Sequence, residues 1–217
     1  LTESRRDVMR HHIPTIRMKN LKELFINKSL KSGGFYELSI QVCESSNNLP
    51  IQLYTDFVWS LENVLGPFNK EFDKIEINLK NIEHNGIVKF NNKYIPFLTF
   101  NIREESPVET GYNWFDICFY SSAIESIFGE EYTTWSENPK SPVEIDEFFK
   151  FTLKNLYNIF PFKLAIIDFE ASGQYYLNDL KDKIELMWNH PKFYIGKENY
   201  KLILESNKKF CSIIEEI

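Results

Sequence analysis

The segment GIVKFNNKYIPFLTFNIR, residues 86–103, carries the clearest structural signal in the sequence. Apolar and polar residues alternate along residues 94–103, which is the period of a β-strand with two unlike faces. The pair Asn91-Asn92 precedes this run, and asparagine tolerates the positive φ angles that tight turns require. The segment therefore predicts a β-hairpin whose two strands lie side by side in an antiparallel sheet.

Four further segments show a strand signal on either side of this hairpin. Residues 35–43 and 74–80 alternate in the same way, and residues 113–120 follow an acidic loop that contains Gly and Pro. Residues 162–169 are strongly apolar, which indicates a strand near the centre of the sheet. Because several of these strands are separated by short turns, we expect a mostly antiparallel meander.

Two helices are expected to pack on the sheet. Residues 48–65 carry an apolar stripe at helical spacing, with Pro50 in the first turn, where its missing N–H group needs no partner. Residues 142–160 show the same spacing and end before Pro161. The buried face of this second helix is predicted to contain Ile145, Phe148, Phe149, Leu156 and Ile159.

A short helix is expected around residues 21–25, and two further helices close the chain at residues 177–188 and 197–217. Strand-rich and helix-rich stretches then combine into a single α+β domain over residues 18–217, with helices packed on the sheet. Residues 1–17 show no periodicity, and we interpret them as a flexible basic N-terminal arm or extension.

Composition places the chain among ordinary globular proteins. It has 217 residues, 43% of them hydrophobic, and a chain of this size can bury about 70% of its surface. Cys43, Cys118 and Cys211 are too far apart to suggest a zinc site or a disulfide framework, so we expect buried free thiols and a reducing compartment. The sequence shows neither a membrane-length apolar run nor a signal peptide, which favours the cytoplasm and argues against a membrane partner.

The charge is unevenly distributed along the chain. Residues 103–150 contain eleven carboxylates against three basic residues, a local balance of −8, whereas the first 31 residues contain eight basic and three acidic ones. The whole chain has a net charge of −6. Such an acidic region repels nucleic acid and attracts basic proteins or metal cations, so the sequence favours a basic protein partner and argues against nucleic acid.

Several of these carboxylates lie in predicted loops beside aromatic residues, a combination typical of protein interfaces. The predicted partner-binding residues are Glu104, Glu105, Glu109, Tyr112, Glu130, Glu131 and Trp135. A short helix directly after the 113–120 strand was expected to bring both groups of loop carboxylates onto one rim. Ordinary solvated loops are the competing interpretation of the same residues.

A second hypothesis rests on Asp168 and Glu170, which follow the apolar run of the 162–169 strand. Alternation would place both carboxylates on one face, and hard divalent cations prefer such oxygen ligands. A strand that becomes polar as it leaves the core explains the same pattern. Asp116 could join the pair; we expect it on a wet face of the sheet, unless helices cover both faces and bury it with a raised pKa.

The signatures of common enzymes are missing from the sequence. It contains no phosphate-binding glycine loop, no zinc-protease motif and no nucleophile elbow, so we expect neither a catalytic residue nor a cofactor. The leading hypothesis is a protein-binding module, with a bacterial immunity protein that neutralises a basic toxin as its most concrete form. The alternatives are a metal-dependent hydrolase or nuclease that uses Asp168 and Glu170, and a scaffold domain whose partner is not basic.

Overall fold

The computed structural model describes residues 15–106, 110–132, 140–182 and 191–217, and these contain eight strands and five α-helices. The strands are β1 Phe35–Glu44, β2 Val64–Phe68, β3 Glu83–Phe90, β4 Lys93–Arg103, β5 Tyr112–Tyr120, β6 Leu164–Phe169, β7 Lys192–Ile195 and β8 Cys211–Ile213. The helices are α1 Thr15–Ile26, α2 Leu49–Ser60, α3 Ser121–Phe128, α4 Val143–Ile159 and α5 Lys197–Tyr200. Short 3₁₀ helices lie at Lys28–Leu30, Glu130–Tyr132, Asp179–Lys181, Glu205–Phe210 and Ile214–Glu216.

All eight strands belong to one sheet with the order β2-β3-β4-β5-β1-β6-β7-β8. Neighbouring strands are antiparallel except β7 and β8, which are parallel. The predicted α+β fold with a mostly antiparallel sheet is therefore confirmed. The predicted hairpin is β3–β4, and Asn91 in its turn has the expected positive φ of 50°.

The main core lies between one face of the sheet and the helices α2 and α4. Alternation along β1 sends Leu38, Ile40 and Val42 into this core. Rings from the sheet and the helices then meet across it, with Phe119 5.6 Å from Phe149 between ring centroids. Four of the five residues predicted for the buried face of α4 are buried; Ile159 is instead exposed, near the C-terminal end of the helix.

The opposite face of the sheet is covered in two parts. At the β2–β3 end, α1 packs Leu21 and Phe25 against Ile87 of β3. At the β6–β7 end, residues 171–182 run across the sheet and bury Tyr175, Leu177 and Leu180; we call these residues the covering segment. Because both faces are covered, β1 is buried along almost its whole length, although alternation alone had suggested one wet face.

Some predicted elements are wrong. Residues 74–80 form no strand beyond an isolated bridge at Lys74, and α2 ends at Ser60 rather than at residue 65. The residues after α2 form edge strand β2 instead, where a proline is tolerated because its missing N–H group can face away from the partner strand. Gly86 on the neighbouring strand permits this packing, since a Cβ there would lie 2.5 Å from the carbonyl oxygen of Leu65.

The C-terminal region also differs from expectation. Residues 197–217 were predicted as one helix but form α5, a 3₁₀ turn, β8 and a final 3₁₀ turn. Of the predicted helix at 177–188, the structure shows a 3₁₀ turn at Asp179–Lys181, and residues 183–190 lie outside the described ranges. Within those ranges, no helix is long and apolar enough to cross a membrane. Most of the predicted arm, residues 1–14, is likewise outside them.

Candidate functional site

A cluster of buried acids lies at the centre of the sheet, on the face that the covering segment crosses. Glu37 of β1 stands opposite Cys118 of β5 on one side and opposite Asp168 of β6 on the other. Ser39, two residues along β1, stands opposite Asp116 of β5. Glu37 is 3% exposed and Asp116 is 1% exposed, so three adjacent strands bring carboxyl groups together in a dry environment.

The covering segment supplies hydrogen bonds to this cluster. The backbone N–H of Ser172 donates to Oε1 of Glu37 at 2.7 Å, and the Ser172 hydroxyl donates to Oδ2 of Asp116 at 3.0 Å. The thiol of Cys118 lies 3.2 Å from Oε2 of Glu37. Among the described residues, Oδ1 of Asp116 and Oγ of Ser39 have no hydrogen-bond partner.

Burial is the main cause of the shifted pKa values of Glu37 and Asp116. It raises the pKa of Glu37 to about 8, and the nearby Asp116 carboxylate adds to the rise, while the contacts from Ser172 and Cys118 oppose it. Burial also raises the pKa of Asp116, and polar neighbours limit that increase. The expectation that Asp116 faces water is therefore wrong; the alternative, a buried carboxyl with a raised pKa, describes it correctly. The pair therefore holds a proton to a higher pH than an exposed carboxyl group would.

The carboxylates of the metal hypothesis are both engaged with the backbone. Oδ1 of Asp168 accepts the N–H of Phe169 at 2.8 Å, and Oε1 of Glu170 accepts the N–H of Phe35 at 2.6 Å. Glu170 follows the end of β6 with a positive φ of 53°. Within the ranges that the structure describes, no group of three or more His, Cys, Asp or Glu residues is arranged to hold a metal ion.

Glu104, predicted as an exposed loop carboxylate, is buried. It is 7% exposed, and its Oε1 accepts hydrogen bonds from Trp114 Nε1 at 2.7 Å and from the Tyr176 hydroxyl at 2.8 Å. Its Oε2 accepts the N–H of Tyr112 at 2.9 Å and the Thr110 hydroxyl. Burial alone would raise the pKa of Glu104, but these four donors together lower it.

The other predicted partner-binding residues are divided between two ends of the sheet. Glu105 is exposed and Tyr112 is half-buried, and both lie near the start of β5. Glu130 and Glu131 are exposed and follow α3, beyond the other end of β5. Nine strand residues span about 27 Å, so the structure does not bring these two groups together on one rim. Glu109 and Trp135 lie outside the described residues.

A groove of about 330 Å³ lies at the β3–β4 turn, on the same side of the molecule as the end of α3. Its lining includes Glu144, Glu147 and Phe151 of α4, together with Lys89 of β3. Phe151 is 55% exposed, although it belongs to a helix whose neighbouring Phe148 and Phe149 are buried. We call this feature the hairpin-end groove.

The end of α3 approaches the same groove through Phe90, which lies in its wall. The ring centroid of Phe90 is 5.7 Å from that of Phe148 on α4 and 6.2 Å from that of Phe128 on α3. Glu130 and Glu131 therefore belong to the same end of the molecule as Glu144 and Glu147.

Sequence reasoning assigned Glu144 and Glu147 to the helix dipole and did not select Phe151. An apolar residue on the polar side of the α4 stripe is the signal that could have identified it.

Comparisons of the chain with protein-family models, with curated proteins and with solved structures each found no match.

Proposed function

We propose that this protein is a non-enzymatic binding module that covers a basic surface of another protein, in the manner of a bacterial immunity protein that acts in the cytoplasm. The single observation that carries the proposal is the hairpin-end groove, where the exposed Phe151 shares the wall with the carboxylates of Glu144 and Glu147. Large aromatic side chains provide much of the energy of protein interfaces, and surrounding charges select the partner and accelerate association.

The charges around the groove favour a basic partner. The groove wall contains two carboxylates, Glu144 and Glu147, against one ammonium group, that of Lys89. Glu130 and Glu131 add two exposed carboxylates beside α3. Lys93 reduces this negative charge. Its Nζ lies over the aromatic face of Phe128, 4.4 Å from the ring centroid.

Three free cysteines support the intracellular part of the proposal. Cys43 and Cys118 are buried and Cys211 is half-buried, and none of the three is paired in a disulfide. Free thiols of this kind are typical of proteins from reducing compartments.

The experiment starts from the genes that adjoin this one, because immunity proteins are encoded beside their toxins. Each neighbouring product would be expressed in a bacterial host with and without this protein, and survival would be measured. We expect one neighbour to be toxic alone and harmless when co-expressed. Phe151→Ala and the double variant Glu144→Lys, Glu147→Lys should each reduce the protection.

The matched control is the double reversal Glu71→Lys, Glu76→Lys, which changes the net charge equally at two exposed positions away from the groove. It should protect as well as the unmodified protein. Protection that survives the groove substitutions, or neighbours that neither kill nor bind, would contradict the proposal.

A further inference from the structure

Residues 76–81, which we call the flap, lie against the sheet without forming a strand. Both ends of the flap are fixed. Before it, the N–H of Ile75 donates to the carbonyl oxygen of Pro67 at 2.9 Å. After it, the carbonyl oxygen of Ile82 accepts the N–H of Asn101 at 2.8 Å. The residues between these two bonds can therefore move as a unit if their own contacts with the sheet are lost.

The flap is held to the sheet by two kinds of contact. Ile77 and Leu79 are half-buried and pack against the main core. In addition, the backbone N–H of Asn78 donates to Nε2 of His84 in β3 at 3.3 Å. Among the described residues, this is the only hydrogen bond that joins the flap to the rest of the protein. A single imidazole ring therefore provides the polar attachment of the flap.

His84 itself is deeply buried. Its side chain is 1% exposed, and its ring centroid lies 6.3 Å from that of Trp59 on α2. On β4, the residue opposite His84 is Thr99. Because Nε2 accepts a hydrogen bond, the neutral ring carries its proton on Nδ1, which is buried and has no partner among the described residues. The bond to the flap is thus the one hydrogen bond of this ring that the described residues provide.

Protonation of His84 is incompatible with this bond. Both nitrogens of an imidazolium are donors, so Nε2–H would face the N–H of Asn78, and two donors cannot form a hydrogen bond. A buried charge without an acceptor is costly. Opening the flap removes the conflict, because it admits water to Nε2.

The charged groups around His84 do not compensate a positive charge on the ring. Glu83 precedes it in β3, is exposed and points to the other face of the strand, while Glu76 and Lys80 of the flap are exposed and opposite in sign. Burial lowers the pKa of His84 below its ordinary value of 6.5, and the Glu83 carboxylate opposes this shift. The closed state therefore binds the proton more weakly than the open state, and it loses stability as the pH falls below 6.5.

We propose that His84 is a pH-sensitive switch: uptake of a proton by its ring detaches the flap from the sheet and exposes Ile77 and Leu79. Ile82, which follows the flap, is already 64% exposed, so an apolar surface forms here at acidic pH. The switch does not depend on the proposed function, because Lys89 of the hairpin-end groove lies towards the other end of β3.

Amide hydrogen exchange of the full chain, followed by NMR at about pH 7 and about pH 5, tests the switch. After correction for the intrinsic exchange rate, the protection of the Asn78 N–H should fall about tenfold from the higher to the lower pH, because only the open flap takes up the proton readily. The amides of β5, at the centre of the sheet, should keep their protection. The ring protons of His84 and the amide of Asn78 should titrate with the same midpoint.

His84→Gln keeps an acceptor for the Asn78 N–H but cannot take up a proton, so the flap of this variant should be equally protected at both pH values. Glu83→Gln is the matched control, because it changes the adjacent, exposed residue, and it should keep most of the fall. An unchanged protection of Asn78 in the unmodified protein, a loss shared by β5, or the same fall in His84→Gln would overturn the proposal. If His84→Gln does not fold, the midpoints in the unmodified protein decide, and different midpoints for His84 and Asn78 would overturn it.

Discussion

Glu37 shows how one position can link the chemistry of a side chain to the pH dependence of the whole fold. It occupies the central strand, where a charged carboxylate would have neither water nor a cation to stabilise it. Its ordinary pKa lies near 4.5, and burial raises this value to about 8 in the folded protein. The folded state therefore binds the proton more tightly than the unfolded state does.

This difference has a definite sign. Stability contributed by protonated Glu37 is complete below its unfolded pKa and is lost as the pH rises through its folded pKa. We expect the free energy of unfolding to fall by about 3 kcal/mol between pH 5 and pH 8 for this reason. Glu37→Gln mimics the protonated acid and should remove most of that fall, as measured by urea unfolding at several pH values.

Glu71→Gln is the matched control, because Glu71 is exposed. It should keep the pH dependence of the unmodified protein. A Glu37→Gln variant with the same pH dependence as the unmodified protein would show that Glu37 is already ionised in the fold.

Asp168 allows the metal hypothesis to be tested directly. Its Oδ1 accepts the N–H of Phe169, and Oε1 of Glu170 accepts the N–H of Phe35, so one oxygen of each carboxylate is already bonded to the backbone. We expect titration calorimetry with Mn²⁺ to give no saturable heat, in the unmodified protein and in Asp168→Ala alike. A heat of binding that Asp168→Ala abolishes would make the metal-dependent hydrolase the leading hypothesis.

At the scale of single residues, the sequence showed which side chains could carry charge but not which of them would be buried. Glu104 and Glu105 are adjacent, identical in chemistry and followed by the same loop, yet only Glu104 is buried. Its burial depends on Trp114 and Tyr176, which are distant in sequence and become neighbours only after the sheet and the covering segment have formed. Asp116 was misplaced for the same reason, because the helix predicted at residues 177–188 gave no sign that residues 171–182 cross the sheet above it.

At the scale of elements, the covering segment is held to the sheet by polar contacts as well as by its buried apolar side chains. Three strand residues bind it: Glu37 and Asp116 through Ser172, and Gln41 through the N–H of Leu177 at 3.0 Å. Glu104, which follows β4, binds it through Tyr176. These contacts hold a segment whose only regular structure among the described residues is a three-residue 3₁₀ turn. Loss of one of them should therefore loosen the segment as well as lower the total stability.

Glu104→Ala tests this dependence. It leaves the buried donors of Trp114 and Tyr176 without their acceptor, so we expect a loss of about 3 kcal/mol in the free energy of unfolding, measured by urea denaturation. Glu105→Ala removes the same charge one residue away at an exposed position and should cost about 0.5 kcal/mol or less. Equal losses in the two variants would mean that the hydrogen bonds to Glu104 contribute little.

Helices with a strong apolar stripe and strands with clear alternation were predictable at this scale, and α4 and the β3–β4 hairpin are the best examples. The C-terminal region was not. Apolar residues at 200, 203, 210 and 214 fit a helical period, but the chain instead places β8 beside β7, and the Asn207 carboxamide donates to the carbonyls of Leu180 and Asp182. Such long-range pairing overrides a weak local preference.

For the whole molecule, the distribution of charge predicts how the rate of association with a basic partner depends on salt. Interactions between exposed charges are screened over about 8 Å at physiological salt. Association with a basic partner should consequently slow steeply as salt rises, and Glu130→Lys with Glu131→Lys should mainly reduce the on-rate. Phe151→Ala should mainly raise the off-rate. The expected loss of binding free energy is about 2 kcal/mol, the size typical of a hot-spot residue.

Surface plasmon resonance at NaCl concentrations from about 50 mM to about 500 mM would measure these rates, because charge screening changes strongly over this range. Glu71→Lys with Glu76→Lys, far from the groove, should alter the on-rate much less. Binding that ignores both salt and Phe151 would place the interface elsewhere on the molecule.

The position of β1 in the sheet has a consequence for how the chain is made. β1 is synthesised before the other strands of the described residues, but it pairs with β5 and β6, so Phe35 meets Tyr120 and Tyr36 meets Phe169. At about 5–20 residues per second, both edges of this apolar strand stay open for several seconds while the rest is synthesised. Nascent chains halted at residue 160 should therefore remain sensitive to protease. Only late in synthesis are both edges of β1 paired and closed to strands of other chains.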